Sequence, residues 1–333
     1  MVICATVLSD RGERLFRLTA SALIASLAAA VVLLMPRAGG AQVFANPIMV
    51  PTAGEVVALA SADLNGDLAP DLIYLEGNGA VASSLRVLLG NGRGGFTAKQ
   101  VIPLPGGSLP GIVAADVTGD GVADLIVSGN VSASSGGQTT AQIAVFVGNG
   151  DGTFQSPVVS SFAGTMFSPA LAVGQFQSNG AADIVISGQF FSLSPTVLLK
   201  GDNTGHFTLD HALTTQQGEP HLLDLNGDGN LDLLLLGRMN SAFYVLPGNG
   251  DGSFQAAITY TAAPGAGFTL GDLNGNGHPD VLVSYYDTTL QRFQMGMMAG
   301  AGDGTFAPAS LIGPVPGPNL IIADLNGGGL PDL

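Results

Sequence analysis

Past residue 42 the chain alternates short apolar runs with short polar ones, and their order repeats. Each unit opens on small apolar residues, as in Val56-Val57-Ala58-Leu59-Ala60 and Gly111-Ile112-Val113-Ala114-Ala115. A nine-residue polar stretch follows. Next comes a run apolar after its first Asp, at 71–75, 124–127, 183–186, 232–236 and 280–283. A variable segment leads to another apolar run, at 86–89, 144–147, 196–199 and 243–246. A Gly-rich segment then ends in phenylalanine, at Phe96, Phe154, Phe207, Phe254 and Phe306, and a more polar run such as 155–160 closes the unit. Runs of four to eight residues bounded by Gly, Asn and Asp predict β-strands, and the Asn-Gly and Asp-Gly pairs supply the positive φ of tight hairpins. Four strands are expected per unit. The first, of small residues, suits a crowded axis; the fourth, with Pro, Thr and Gln, suits an outer edge. The repeated Phe is expected to pack between units.

The polar stretch has the form D-x-[NT]-G-[DN]-x-x-x-D. It starts at Asp63, Asp116, Asp224, Asp272 and Asp324, with a degenerate copy from Gln175 to Asp183. Counting that copy, the spacing stays between 48 and 59 residues. A period near 50 with several strands per unit predicts a propeller or a solenoid, and four strands per unit select an all-β propeller of four-stranded blades. The blades are expected at about 54–105, 106–163, 164–214, 215–263 and 264–315. Residues 316–333 read as the start of a sixth, in a ring larger than the chain supplies, and 43–50 as a possible closing outer strand.

Residues 1–41 read differently. Arg11, Arg14 and Arg17 precede an apolar run from Leu18 to Met35, and small residues follow to Ala41. This is a secretory signal pattern, with an uncleaved N-terminal anchor as its rival. The one cysteine, Cys4, lies inside it, so the exported part would have no disulfide. Without residues 1–41 the chain carries 23 acidic and 6 basic residues, a net charge near −17, and 14 of the acids lie in the nine-residue stretches. Nucleic acid and anionic membrane surfaces are disfavoured partners. The expected location is secreted, periplasmic or cell-surface, with no membrane insertion after cleavage.

The paired signals, D-x-N-G-D-G-x-x-D and then N-G-D-G-x-F about 25 residues later, are similar to FG-GAP/VCBS repeats, the blades of integrin-α-type propellers. The resemblance covers 43–333 and implies a β-propeller, often seven-bladed. It also implies Ca²⁺ in the hairpin between the first and second strands of a blade.

The loop chemistry agrees with a hard cation. Positions 1, 3 and 5 offer side-chain oxygens, position 7 a backbone carbonyl and position 9 a closing carboxylate, a mixed oxygen set that Ca²⁺ accepts and that Mg²⁺ takes less readily. The candidate ligands are Asp63, Asn65, Asp67, Ala69 and Asp71; Asp116, Thr118, Asp120, Val122 and Asp124; Asp224, Asn226, Asp228, Asn230 and Asp232; and Asp272, Asn274, Asn276, His278 and Asp280. Carboxylate count ranks the first three above the fourth, and Asp324, with Gly328 at position 5, below those; the copy at Gln175 keeps only Asp183 and is expected to bind nothing. The alternative is an ordinary Asp/Asn/Gly turn. An EF-hand, a dockerin and an RTX array fail on context, because strands follow the loops and no nine-residue period exists. Asp151, Asp251 and Asp303 in the N-G-D-G turns are turn formers first and second cation ligands as an alternative.

No catalytic constellation appears. His206, His211, His221 and His278 share no motif, and there is no nucleophile elbow or phosphate-cradling loop. The expected function is therefore a non-enzymatic binding, adhesion or structural module for an extracellular protein or glycan. A propeller hydrolase or lyase on polysaccharide, or one part of a larger surface protein, is the alternative. Ligand contacts are expected at variable loops such as 130–140 and 190–195.

Overall fold

The computed structural model describes residues 4–10, 13–19, 30–31, 48–50, 52–78, 81–132, 139–162, 170–176, 180–188, 196–237, 241–263, 266–315 and 317. Near the N-terminus β1 (Cys4–Asp10) pairs antiparallel with β2 (Glu13–Thr19), and β3 (Ala30–Val31) with β4 (Ile48–Met49). Apart from Leu18, Thr19, Ala30 and Val31, the apolar core of the expected leader lies outside the described residues. Residues 48–49 of the expected closing strand take β3 as their partner, not a blade.

The remaining strands form five four-stranded antiparallel blades in a ring, a five-bladed β-propeller with no helix among the described residues. Blade 1 is β5 (Glu55–Ala62), β6 (Asp71–Asn78), β7 (Val81–Gly90) and the first half of β8 (Phe96–Ala115). Blade 2 takes the second half of β8, then β9 (Asp124–Ser132), β10 (Thr139–Phe146) and β11 (Val158–Phe162). Blade 3 is β12 (Ala170–Gly174), β13 (Asp183–Ser187), β14 (Thr196–Gly201) and β15 (Phe207–Thr214). Blade 4 is β16 (Glu219–Leu223), β17 (Asp232–Leu236), β18 (Ala242–Leu246) and β19 (Ile258–Thr261). Blade 5 is β20 (Gly267–Gly271), β21 (Asp280–Asp287), β22 (Arg292–Met298) and β23 (Ser310–Val315). The expected boundary at 105/106 falls inside β8, which pairs with β7 as far as Gly107 and with β9 from Ser108. The expected sixth repeat lies outside the described residues, apart from Gly317.

The continuous apolar character of the second strands follows from their place. A blade has a neighbour on each face, so successive residues are buried on opposite sides. Ile184 and Ile186 pack toward blade 2, while Val185 packs toward blade 4. Leu234 and Leu236 face blade 5, and Leu233 and Leu235 face blade 3. Each fully buried Leu, Ile or Val contributes about 1.5–3 kcal/mol relative to an exposed one.

Four of the five phenylalanines are inter-blade anchors, as expected; Phe96 instead packs on its own blade, with Leu59, Leu72 and Leu88. Phe154 of blade 2 joins the core of blade 1, with Leu64 and Val87. Phe207 joins that of blade 2 with Val117 and Val145. Phe254 meets Phe176 of blade 3 edge-on at 5.6 Å. Phe306 meets Phe243 and Tyr260 of blade 4 at 5.4 and 5.6 Å. Three of these contacts carry a backbone latch from the preceding outer strand. Phe154 N–H donates to Gln100 Oε1 (3.0 Å), Phe207 N–H to Ser160 Oγ (2.9 Å) and Phe306 N–H to Tyr260 Oη (3.1 Å).

Candidate metal centre in the acidic loops

In a four-stranded antiparallel meander the hairpins from strand one to two and from strand three to four fall at the same end of the blade. One rim of the ring therefore carries both the acidic loops and the Gly-rich turns. The loops between strands two and three occupy the other rim. Most of 130–140 and 190–195, the expected ligand loops, lies outside the described residues.

The first acidic loop is organised by Asp63. Its Oδ1 accepts the N–H groups of Asn65 (3.3 Å), Gly66 (2.8 Å) and Asp67 (3.2 Å), and its Oδ2 accepts that of Leu68 (2.8 Å). The turn needs left-handed backbone at position 6, where Gly121, Gly229 and Gly277 have φ of 82°, 85° and 84°. Leu68 holds that conformation in the first loop at φ 65°, with 92% of its surface exposed. Position 5 is held by position 7: Asp67, Asp120, Asp228 and Asn276 accept the N–H of Ala69, Val122, Asn230 and His278, each at 2.8 Å. Asn65 and Asn226 use their amide nitrogens on Asp67 and Asp228 (3.0 and 3.1 Å). Asn274 instead donates to both oxygens of Asp280 (3.1 Å each).

The closing Asp has a different task. Asp71, Asp124, Asp183, Asp232 and Asp280 are all fully buried. One oxygen accepts the N–H of position 2, from Leu64 (2.8 Å), Val117 (2.9 Å), Phe176 (3.2 Å), Leu225 (2.9 Å) and Leu273 (3.0 Å). The other accepts the N–H of the glycine that opens the Gly-rich turn: Gly90 (2.7 Å), Gly148 (2.8 Å), Gly201 (3.2 Å), Gly248 (2.7 Å) and Gly300 (2.9 Å). The carboxylate thus staples the loop to the third strand in every blade, including the degenerate one. It also explains that glycine. A Cβ there would lie 2.1–2.4 Å from the carbonyl oxygen just before the closing Asp. The sequence carries a trace of this pairing, though not of its direction: Asp183 and Gly201 survive where positions 1, 3 and 4 of the loop have changed.

Burial pushes the carboxyls of Asp71, Asp124 and Asp232 up, against the hydrogen bonds from their two backbone partners. Asp228 is exposed, and the Asn230 N–H holds its carboxyl low. Among the described residues, no Lys, Arg or His ion-pairs with an acidic-loop carboxylate of the first, second or fourth blade. Thr118 Oγ1, at position 3 of the second loop, is buried without hydrogen-bond geometry to any partner, although it lies close enough to Asp124 to favour its charge.

The structure divides the expected ligands into two groups. Positions 1 and 5, and position 3 except at the buried Thr118 Oγ1, offer oxygens at the loop mouth, and in the first, second and fourth blades their carboxylates have no cationic partner among the described residues, which suits a hard cation chemically. Position 9 faces inward onto amides. Among the described residues no three His, Cys, Asp or Glu side chains converge as a metal cage. The carbonyls at Ala69, Val122, Asn230 and His278 belong to the same turns. The N-G-D-G aspartates are turn formers: Asp151, Asp251 and Asp303 accept both the N–H and the hydroxyl of Thr153, Ser253 and Thr305. The histidines do not converge, and His211 Nδ1 sits 2.7 Å from Asp210 on an outer strand.

Acidic loops also reach the next blade. Gly152 N–H donates to Leu64 O (3.1 Å) and Gly304 N–H to Leu225 O (3.0 Å). The order of one loop is therefore felt at the neighbouring Gly-rich turn. The family model for the FG-GAP-like repeat matches residues 63–127 and 224–283. No curated protein matches the chain. Each matched stretch opens on an acidic loop and runs to the end of a second-strand core. Blade and loop agree with that match: the chain is a five-bladed β-propeller that carries FG-GAP-like repeats at the two matched regions.

Proposed function

We propose that the protein is an exported, calcium-stabilised propeller that works as a non-enzymatic binding or adhesion module. The observation that carries this reading is the set of exposed loop carboxylates, such as Asp67 and Asp228, gathered on one rim with no basic partner among the described residues. Two carboxylates about 5 Å apart repel by roughly 3 kcal/mol at an effective dielectric of ~20, and a dication reverses that sign. With ~1 mM Ca²⁺ and a Kd of ~0.1 mM, each occupied loop adds about 1.4 kcal/mol. The arginine-flanked apolar leader supports export. No helix among the described residues is long and apolar enough to cross a membrane.

The test uses the chain from residue 42 onward. Chelation should lower its Tm, and Ca²⁺ should restore it more than equal Mg²⁺. Asp228→Ala should remove part of the Ca²⁺-dependent increment. An unchanged Tm under chelator overturns the calcium reading.

A further inference from the structure

The Gly-rich turns are not equivalent. In blades 2 and 4 the Asn amide nitrogen is tied across the turn, from Asn149 to Thr153 Oγ1 and from Asn249 to Ser253 Oγ, both at 2.9 Å. In blade 1 Arg93 and Gly95 stand where those turns have Asp and the hydroxyl residue, so this cross-link cannot form. Asn91 Oδ1 instead accepts two backbone N–H groups, from Arg93 and from Gly95, both at 2.9 Å. Among the described residues, neither its amide nitrogen nor the Gly92 N–H has a hydrogen-bond partner. Gly92 has no Cβ to hinder attack and sits at φ 65° on an exposed turn.

The Asn-Gly pairs of the acidic loops differ on the other side of the reaction. There the glycine N–H is occupied: Gly66 on Asp63 (2.8 Å), Gly227 on Asp224 (2.7 Å), and Gly275 and Gly277 on Asp272 (2.8 Å each). A nitrogen already donating to a carboxylate gives up its proton reluctantly. Asn91-Gly92 thus combines an available nucleophile, an untied leaving group and two donors on the oxygen where charge develops. Donors aimed at a developing oxyanion are a large rate term in acyl transfer.

We propose that Asn91 is a self-modification site at which the Gly92 nitrogen drives deamidation. The Gly92 nitrogen loses its proton to water or hydroxide and attacks Asn91 Cγ, forming a C–N bond and an oxyanion on Oδ1. The oxyanion collapses, the Cγ–Nδ2 bond breaks, and ammonia leaves after taking a proton from solvent. Water then opens the succinimide to aspartate or isoaspartate, with no change of oxidation state. The turn accepts the aspartate product: blade 3 already has Asp202 at this place, its Oδ1 accepting the Thr204 N–H at 2.9 Å.

The experiment incubates the full chain at mildly alkaline pH and follows its peptides by mass spectrometry. The Asn91 peptide should gain one mass unit about tenfold faster than the peptides of Asn149 and Asn249. The variant R93D/G95T rebuilds the blade 2 turn and should bring the Asn91 rate down to that of Asn149. A Cβ at Gly95 would meet Asn91 Nδ2 at 2.5 Å, so the added Thr displaces that amide toward its hydroxyl. Conversely, Thr153→Ala in the otherwise unaltered chain should raise the Asn149 rate, a readout that stands even if the double variant fails to fold. Equal rates at Asn91 and Asn149 in the parent chain overturn the proposal, as does a Thr153→Ala rate no faster than the parent's.

Discussion

Replacing Asp183 by Ala separates the two jobs of the acidic loop, because the degenerate copy keeps the staple and has lost the other carboxylates. The wild-type carboxylate is fully buried and accepts Phe176 N–H and Gly201 N–H, both at 3.2 Å. Alanine leaves both amides without that acceptor in the interior. Each orphaned buried donor costs about 1–3 kcal/mol, so we expect a loss of about 2–5 kcal/mol once partial relaxation is allowed. At about 2–4 °C per kcal/mol this is a fall in Tm of roughly 4–20 °C. Asp183→Asn keeps one acceptor and should lose about half as much. The assay is urea and thermal unfolding by circular dichroism, in chelator and in ~1 mM Ca²⁺. The loss should be the same in both buffers, since Gln175 and Gln177 supply no carboxylate to that loop. A loss under about 0.5 kcal/mol, the range of ordinary surface changes, would refute the staple. So would a loss that Ca²⁺ abolishes.

Three further outcomes follow from the same geometry. Leu68→Gly should stabilise the chain by about 0.5–1 kcal/mol in chelator, because it removes a left-handed, exposed leucine at some cost in unfolded-state entropy; a lower urea midpoint would count against the strain. Gly248→Ala should lose at least about 3 kcal/mol, its Cβ lying 2.1 Å from Leu231 O, whereas Gly229→Ala meets nothing within 4 Å and should lose only about 1 kcal/mol for its φ of 85°; equal losses in urea would undo the close-approach argument. Glu76 is buried and accepts the N–H groups of Ala53 and Gly54 and the Arg86 guanidinium; burial opposes its charge, yet these partners hold its carboxyl below 4.5. A lowered acid stabilises the fold above its unfolded value, and that gain fades as pH falls through the folded one. Glu76→Gln should therefore cost about 1–3 kcal/mol at pH 7 and progressively less below pH 4.5. Asp71, Asp124 and Asp232, with raised folded values, run the other way: their contribution is present below 3.8 and is lost as pH rises. The wild-type-minus-variant difference, measured across pH, isolates Glu76 from them, and a constant difference would refute its role.

The blades were legible because their grammar is local. Strand period, turn residues and the fixed order of small, acidic, apolar and Gly-rich runs each demand a particular backbone, and they agree with one another. Phe154, Phe207, Phe254 and Phe306 could be placed between blades because an aromatic repeated at one point of each unit needs the same partner surface each time. The continuity of β8 was not legible. Pro103, Pro105, Gly106 and Gly107 suggest a break, yet the strand keeps going by changing partner from β7 to β9. The direction of the closing Asp was not legible either. Spacing sets which residues share a turn, but whether a carboxylate faces the loop mouth or the amides behind it depends on a third-strand glycine some 16–24 residues away.

That glycine changes how the lapsed third loop should be understood. A loop kept only for a cation would be free to lose all its carboxylates together. The third loop lost the carboxylate of position 1, the Asn or Thr of position 3 and the glycine of position 4, has Asn179 at position 5, and kept position 9 along with the glycine it binds. Two pressures therefore act on one nine-residue stretch. Positions 1 and 5 order the turn through exposed hydrogen bonds, and a side chain such as Gln175, donating to Gly180 O, can stand in for them. Position 9 satisfies two buried amides, and no water can reach in to replace it. Positions 1, 3 and 5 can thus vary loop by loop without removing the staple, because the group that holds the blade together is the one turned away from the loop mouth.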